Sequence, residues 1–551
     1  MSVENPLEDN TTSASWLDGL RVTLRRRPQV GTAGLIVVIS LLNAAMYQMP
    51  LFAFAANKLG PLGFGGLLTL ATLFVVVALV TLLVLAFVAL ASHHLVKPVC
   101  MLAAMLNAVA LYFIQSYGVL LDKTMMGNVL NTDVVEAATL WHPKLALYLL
   151  ILGLAPSLLL ARVQILPTRR LRLFGFTGLL FAIGLGWIYA ASSTWLWIDK
   201  HAGSLGGLIL PWSYTINLTR YETSKWAASR QAELLPNASF TDNEKTIVVL
   251  VIGESARKSN FSLYGYPRET NPILSASGIV PLANTQSCAT YTTEALLCIL
   301  SHDDPSLRLA GAVELLPSYL HRHGIDVIWR SNNWGEPPLK VDTYERANDL
   351  ARSCTGTSCF GDEVLLSGLE QRIRNSTARK VFVVLHQGGS HGPAYNTKVP
   401  PSFEHFRPVC DSVELSRCSP QSLVNAYDNT IVYTDHVVGR AIELLKKMKD
   451  VSTTLIYISD HGESLGEHGL YLHGTPMAVA PNVQKEIPFL VWISDGFAHQ
   501  HRIDASTLSN RVAHSQDQVF HSVMGAFDMR SRVYRPEKDI YAHCSGAACA
   551  R

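Results

Sequence analysis

Glu254 follows the apolar, β-branched run Thr246–Ile252, and the pair Asp460-His461 follows a second such run, Thr453–Ser459. Runs of this kind read as strands buried on both faces. In an open α/β sheet, functional groups gather at the carboxyl ends of the strands. A glutamate on one strand end and an Asp-His pair on another can therefore converge on one divalent ion. A third run, Val381–Leu385, leads into His386 and then His391, and His473 follows the Asp-His pair. Oxygen and imidazole donors without thiolates suit a catalytic zinc.

A metal-assisted group transfer also needs a nucleophile. The loop between Cys288 and Cys298 holds Thr290, Thr292 and Thr293, with Ser287 just before it. A hydroxyl at a helix start beside a Lewis acid ionises more easily and can attack a phosphoryl centre. A helix N-terminus also favours a bound phosphate. Residue type and spacing leave the choice among these four hydroxyls open, and each could equally be an N-cap or turn residue.

The elements that must position these groups divide the 551-residue chain in two. Residues 34–196 are mostly apolar, and residues 245–551 read as a soluble domain. Lys and Arg number 45 against 43 Asp and Glu, a net charge of +2, which gives no electrostatic footprint for nucleic acid. Five stretches are long and apolar enough to span a bilayer: Gly34–Phe54, Leu62–Ala91, Val99–Leu121, Leu145–Val163 and Leu171–Trp195. The first follows a polar tail, residues 1–33, without a cleavage site, and reads as a retained anchor. Arg21, Arg25, Arg26 and Arg27, then Lys97, then Arg162, Arg169, Arg170 and Arg172 load alternate loops with positive charge. The positive-inside rule puts the N-terminus in the cytoplasm, so five spans deliver the C-terminal domain to the other side. The connector, residues 197–244, carries Leu208, Leu210, Trp212, Tyr214 and Trp226, which suits either a membrane-surface segment or a helix packed on the soluble domain.

The cysteines agree with an external domain. Cys288/Cys298, Cys354/Cys359, Cys410/Cys418 and Cys544/Cys549 are close pairs that read as local disulfides of an oxidising compartment. Within the soluble part, strands at 246–252, 325–329, 380–385, 453–459 and 487–493 alternate with helical stretches such as Ser422–Met448. That alternation predicts a mostly parallel sheet flanked by helices. After the third span, Asn128, Thr132 and Glu136 recur at steps of four, which on a helix makes one polar face at the outer membrane surface.

Together, several motifs resemble the lipid A phosphoethanolamine transferases of the EptA type, which include the MCR enzymes and belong to the alkaline phosphatase superfamily. They are Gly253-Glu254-Ser255-Ala256-Arg257, Gly265-Tyr266-Pro267-Arg268-Glu269-Thr270-Asn271-Pro272, Ser287-Cys288-Ala289-Thr290-Tyr291-Thr292, His391-Gly392-Pro393, and Asp460-His461-Gly462-Glu463-Ser464 through His473-Gly474. The resemblance covers almost the whole chain. It implies a five-helix membrane domain followed by an α/β, alkaline phosphatase/sulfatase-like periplasmic domain in the bacterial inner membrane. It also implies that Thr292 is the nucleophile, that Glu254, Asp460 and His461 bind zinc with the Thr292 oxygen, and that His391 and His473 serve a second zinc or the phosphoethanolamine group. Lys340 stands for the family's substrate-site lysine, and Asn128, Thr132 and Glu136 match its headgroup-binding pattern. The implied cofactor is one tightly bound zinc, with a second during turnover. The implied donor is phosphatidylethanolamine, the acceptor a lipid A phosphate, and the consequence resistance to polymyxin. The expected state is a monomer. Kdo or core-sugar phosphoethanolamine transfer and phosphoglycerol transfer are the alternatives. A sulfatase requires a Pro and an Arg after its nucleophile, which Cys288-Ala289-Thr290-Tyr291-Thr292 lacks. A non-catalytic membrane sensor predicts loss of the ligands or the nucleophile, and all four are present.

Overall fold

The computed structural model describes residues 27–60, 63–132, 137–138, 140–228, 233–303, 313–354, 359–504, 508 and 513–542. The chain forms two compact units, one of Met1–Tyr112 and Pro143–Trp212, the other of Phe113–His142 and Ser213–Arg551.

The first unit is built on helices α1 (Thr32–Met46), α2 (Met49–Leu59), α3 (Phe64–Ala91) and α4 (His93–Tyr117), the last continuing into the second unit. Helix α5 (Lys123–Asn131) belongs to the second unit, and the first resumes with α6 (Pro143–Arg162) and α7 (Arg170–Ala190). Among the described residues, α3, α4 and α6 are long and apolar enough to cross a membrane, and α1 with α2 makes a fourth candidate bent by 54°. The fifth expected span falls on α7, 21 residues long. Apolar side chains such as Phe87, Leu102, Phe174 and Phe181 face outward, as on helices that meet lipid.

The first span is thus not the single rod the sequence predicts. Pro50, in the first turn of α2, has no N–H to continue the ladder, and its ring crowds the carbonyl of the turn before it. The buried Gln48 fills the break: its Nε2 donates to Leu210 O at 2.5 Å and its Oε1 accepts from Leu210 N at 3.2 Å. Asn43 Nδ2 adds a third bond, 3.1 Å to the same carbonyl. The connector therefore begins by burying Leu208 and Leu210 against the α1–α2 break.

The second unit carries a seven-stranded sheet. In chain order its strands are β1 (Thr246–Gly253), β2 (Val280–Pro281), β3 (Asp326–Ser331), β4 (Thr343–Arg346), β5 (Lys380–His386), β6 (Ser452–Ser459) and β7 (Phe489–Ile493). The spatial order is β2-β7-β6-β1-β5-β3-β4. The five strands from β6 to β4 run parallel, and β7 runs antiparallel to β6. Every residue of β1, β5 and β6 is buried. Alternate residues serve two cores: Val248, Leu250, Ile252 and Ile456 pack with Leu296 and Ile299 of α8 (Thr292–Leu300), while Val249, Val251, Leu455 and Tyr457 pack with Tyr427 and Ile431 of α9 (Pro420–Lys446). This two-sided burial explains why the strands read as unbroken apolar runs.

The five strands expected from sequence all appear, and β2 and β4 join them. The disulfides Cys288–Cys298, Cys354–Cys359 and Cys410–Cys418 form. Cys544 and Cys549 lie outside the described residues.

Candidate active site

Parallel pairing in register brings the ends of β6, β1 and β5 level: Ser459 stands beside Gly253, and Ile252 beside His386. Glu254 and Asp460 leave these ends fully buried. The chain turns sharply at Ser255, whose φ of 55° is left-handed for a non-glycine residue. That turn aims Ser255 N at Asp460 Oδ1 (3.0 Å) and Ser255 Oγ at Glu254 Oε1 (2.7 Å). Asp460 Oδ1 also accepts from His461 N at 2.6 Å, while Asp460 Oδ2 is buried without a hydrogen-bond partner.

Thr292 is the first residue of α8, where the unpaired N–H groups of the first turn attract anions. Its hydroxyl donates to Glu254 Oε2 at 3.0 Å and lies 3.4 Å from His461 Nε2. The main-chain carbonyl of Gly462 accepts from His461 Nδ1 at 2.9 Å, which leaves Nε2 as a lone pair facing the cluster. Ligand atoms of Glu254, His461 and His473 all lie within 4.8 Å of one another. The His473 ring centroid is 4.3 Å from that of His461 and 5.0 Å from that of His391.

The charges are crowded. Burial works against ionising Glu254, yet His461, His391 and His473 hold it well below the usual carboxylate range. Burial and the neighbouring Glu254 push Asp460 well above that range. Burial and His473 bring His461 down to about 4, and burial also lowers His473. Two carboxylates and neutral imidazoles converge, and one buried carboxylate oxygen, Asp460 Oδ2, makes no hydrogen bond and lies 3.2 Å from His461 Nε2. A dication relieves all three conditions. The all-oxygen-and-nitrogen donor set, with His461 oriented through its far nitrogen, fits zinc.

The structure thus brings together Glu254, Thr292, Asp460, His461, His473 and His391. Asn128 joins them from α5: it is buried, its Oδ1 has no partner, and its Nδ2 lies 3.3 Å from where a side chain on Gly474 would begin. The helix predicted from the four-residue spacing ends at Asn131, so Thr132 is its C-cap and bonds back to Asn128 O at 2.7 Å. Glu136 lies outside the described residues. Lys340 is a correction. It is exposed, its N–H bonds Ser318 Oγ, and two residues later Asp342 N bonds Val327 O near the amino end of β3. The chain has by then returned to the opposite end of the sheet from the cluster, because β4 runs parallel to β3 and must start from that side.

Sequence reasoning missed the neighbours of this cluster at the end of β3. Asn333 Nδ2 donates to Glu254 Oε2 at 2.7 Å and lies 3.2 Å from His386 Nε2. His386 Nδ1 pairs with Glu336 Oε1 at 2.9 Å. Burial opposes ionising Glu336, but His386 and Ser331 hold it at about 2. The legible signal was Ser331-Asn332-Asn333, a polar triplet closing a strand as Glu254 closes β1.

Two family models match this chain: one described as Sulfatase over residues 246–529, and one described as Phosphoethanolamine transferase EptA/EptB over residues 63–226. The chain is 39% identical over 520 residues to phosphoethanolamine transferase EptA of Helicobacter pylori, covering 93% of this chain and 96% of the relative. It is 34% identical over 473 residues to phosphoethanolamine transferase EptA of Escherichia coli, covering 81% and 85%. Among solved structures it is similar to the integral membrane protein lipooligosaccharide phosphoethanolamine transferase A from Neisseria meningitidis. That likeness has a TM-score of 0.85 at 29% identity and covers 95% of this chain and 100% of the other.

Proposed function

The chain belongs to the EptA family of phosphoethanolamine transferases, and on that premise we propose that it transfers phosphoethanolamine from phosphatidylethanolamine to a phosphate of lipid A through a covalent adduct on Thr292. The observation that carries this reading is the Thr292 hydroxyl at a helix start, 3.0 Å from Glu254 Oε2 and 3.4 Å from His461 Nε2. In the first step Thr292 Oγ1 attacks the donor phosphorus, the bond from phosphorus to the glycerol oxygen breaks, and diacylglycerol leaves with a proton. Glu254 Oε2 is the nearest basic oxygen for the threonine proton. In the second step a hydroxyl oxygen of the acceptor phosphate attacks the same phosphorus, the bond from phosphorus to Thr292 Oγ1 breaks, and the proton released by the acceptor goes to Thr292 Oγ1. The N-terminus of α8 orients the phosphoryl oxygens. Zinc held by Glu254, Asp460 and His461 supplies Lewis-acid neutralisation of the charge on those oxygens. His391 and His473 form a second, looser imidazole pair for another zinc or for the departing group. Asn128 and Thr132 border the donor headgroup, with Glu136 as the partner of its ammonium.

Residues 34–196 cross the inner membrane with the N-terminus in the cytoplasm, and residues 245–551 lie in the periplasm. The arginine-loaded alternate loops and three disulfides support this orientation. The protein acts as a monomer. Masking lipid A phosphates with a cationic group weakens polymyxin binding.

The test is mass spectrometry at two levels. Purified protein incubated with phosphatidylethanolamine is expected to gain one phosphoethanolamine mass on Thr292, and the Thr292→Ala variant none. Lipid A from a strain lacking its own modifying enzymes is expected to carry the same group when the wild type is expressed. An adduct elsewhere, or none, refutes the nucleophile. A modified core sugar with unmodified lipid A refutes the acceptor.

A further inference from the structure

The loop that carries Thr292 is held at its base by two neighbouring segments. On one side Ser287 N donates to Lys485 O at 2.8 Å and Ile487 N to Thr285 O at 3.2 Å. On the other, Thr285-Gln286 pairs in parallel with His514-Ser515. The next residue, Gln516, reaches inward and is only 1% exposed. Its Oε1 accepts from Cys288 N at 3.0 Å. Its Nε2 donates to Asp460 O at 2.5 Å and to Ser459 O at 3.1 Å. Both donor hydrogens and the acceptor are in use, so the orientation of the amide is set by its partners: a flip would face its oxygen to two carbonyls.

One side chain therefore spans from the base of the nucleophile loop to the backbone of the Asp460-His461 turn. We propose that Gln516 is a positioning residue for phosphoryl transfer: its amide sets how far Thr292 Oγ1 stands from the Glu254–Asp460–His461 cluster. This rests on the reading of Thr292 as the nucleophile. The ligand side chains have other supports. Asp460 Oδ1 is held by Ser255 N and His461 N, and His461 Nδ1 by Gly462 O. The far end of the loop is pinned separately, Thr290 O accepting from Gly474 N at 2.8 Å and Thr290 Oγ1 donating to Thr475 O at 2.6 Å. Loss of the Gln516 bridge thus removes the tie between Cys288 N and the backbone of the Asp460-His461 turn while leaving the metal ligands in place. A displacement near 1 Å of a reacting group costs roughly 100-fold in rate.

The experiment uses the full chain in detergent and compares wild type, Gln516→Met, which keeps the length of the side chain, and Gln516→Asn, which keeps the amide on a shorter stem. Rapid quench with intact-mass detection gives the rate and the amplitude of phosphoethanolamine transfer to Thr292. Donor titration gives KM, and chelator competition gives zinc affinity. The expected result is a first-step rate lowered roughly 100-fold, with amplitude, KM and zinc affinity each within about threefold of wild type. A role in folding alone would instead lower the amplitude together with the zinc-loaded fraction and leave the rate unchanged, and that outcome overturns the proposal. A wild-type rate in either variant overturns it as well. Should Gln516→Met fail to fold, Gln516→Asn decides by the same comparison of rate with amplitude. Absence of any adduct on the wild type overturns the reading of Thr292, and this role with it.

Discussion

Gly253→Ala tests how tightly the end of β1 is held. A methyl group there would lie 2.7 Å from Tyr457 Cζ and 3.0 Å from Tyr457 Cε2, and closer still to its hydroxyl. Carbon atoms settle at about 3.5 Å, so roughly 0.8 Å must be yielded. Neither side yields easily. Tyr457 is buried on β6, and β1 is bonded on both flanks, to β6 and to β5. Overpacking of this kind costs about 2 kcal/mol, equivalent to a melting temperature lower by about 3 °C for a unit of this size. Glu254 is the next residue, so the strand displacement passes to the carboxylate that accepts from Thr292, and transfer is expected to fall roughly 100-fold. The Tyr457 hydroxyl has no hydrogen-bond partner, so Tyr457→Phe costs little by itself and removes the nearest atom. The double variant should regain part of both losses. Melting curves and adduct formation across the four proteins make the measurement. A Gly253→Ala variant as stable and active as wild type refutes the close approach. A double variant no better than the single assigns the loss to something other than Tyr457.

Asp460→Asn keeps the shape of the site and replaces a carboxylate whose outer oxygen is buried without a hydrogen bond by an amide. Zinc affinity by chelator competition should drop by at least about 100-fold without a lower melting temperature in the metal-free form, and unchanged affinity refutes the ligand assignment. Away from the site, burial holds His521 neutral down to about 4. Its Nε2 donates to His302 O at 2.8 Å and its Nδ1 accepts from Arg535 N at 3.2 Å, so an added proton would meet a donor. Between the ordinary histidine value of 6.5 and about 4, the unfolded chain binds this proton and the folded chain does not. Stability is therefore full above that window and falls through it on acidification, by about 3 kcal/mol in all. Denaturant midpoints against pH should show this slope in the wild type and lose it in His521→Gln, and equal slopes refute the assignment.

The central strands were legible because burial on both faces leaves them without polar alternation, and the residues that end them stood out by contrast. Glu254, Asp460 and His461 were found in this way. The direction of β7 was not legible, since an apolar run reads the same in either sense. The edge strand β4 alternates half-buried and exposed residues over Thr343–Arg346, too few for a period to register. Lys340 was misplaced because a resemblance in motif carries no path for the intervening chain, and ten residues suffice to return from one end of β3 to the other. The partners of Asn333, Glu336 and Gln516 are distant in sequence, so beyond the polar triplet Ser331-Asn332-Asn333 nothing in their spacing marked them. Thr292 was separated from Thr290 and Thr293 only by family resemblance. In the structure Thr290 Oγ1 donates to Thr475 O, while Thr292 Oγ1 donates to Glu254 Oε2.

Residues 113–142 group with the catalytic unit although they lie between membrane helices in sequence. Tyr117 Oη donates to Val413 O at 3.0 Å, Asn217 Nδ2 donates to Leu121 O at 2.8 Å, and Met125 and Asn128 abut Gly474. A truncated protein begun after the last hydrophobic stretch would keep Glu254, Thr292, Asp460, His461 and the sheet, yet it would lack the wall that α5 builds beside His473. Inhibitors selected on such a fragment would be selected against a pocket with one side open, and compounds that owe their affinity to Asn128 would escape the screen.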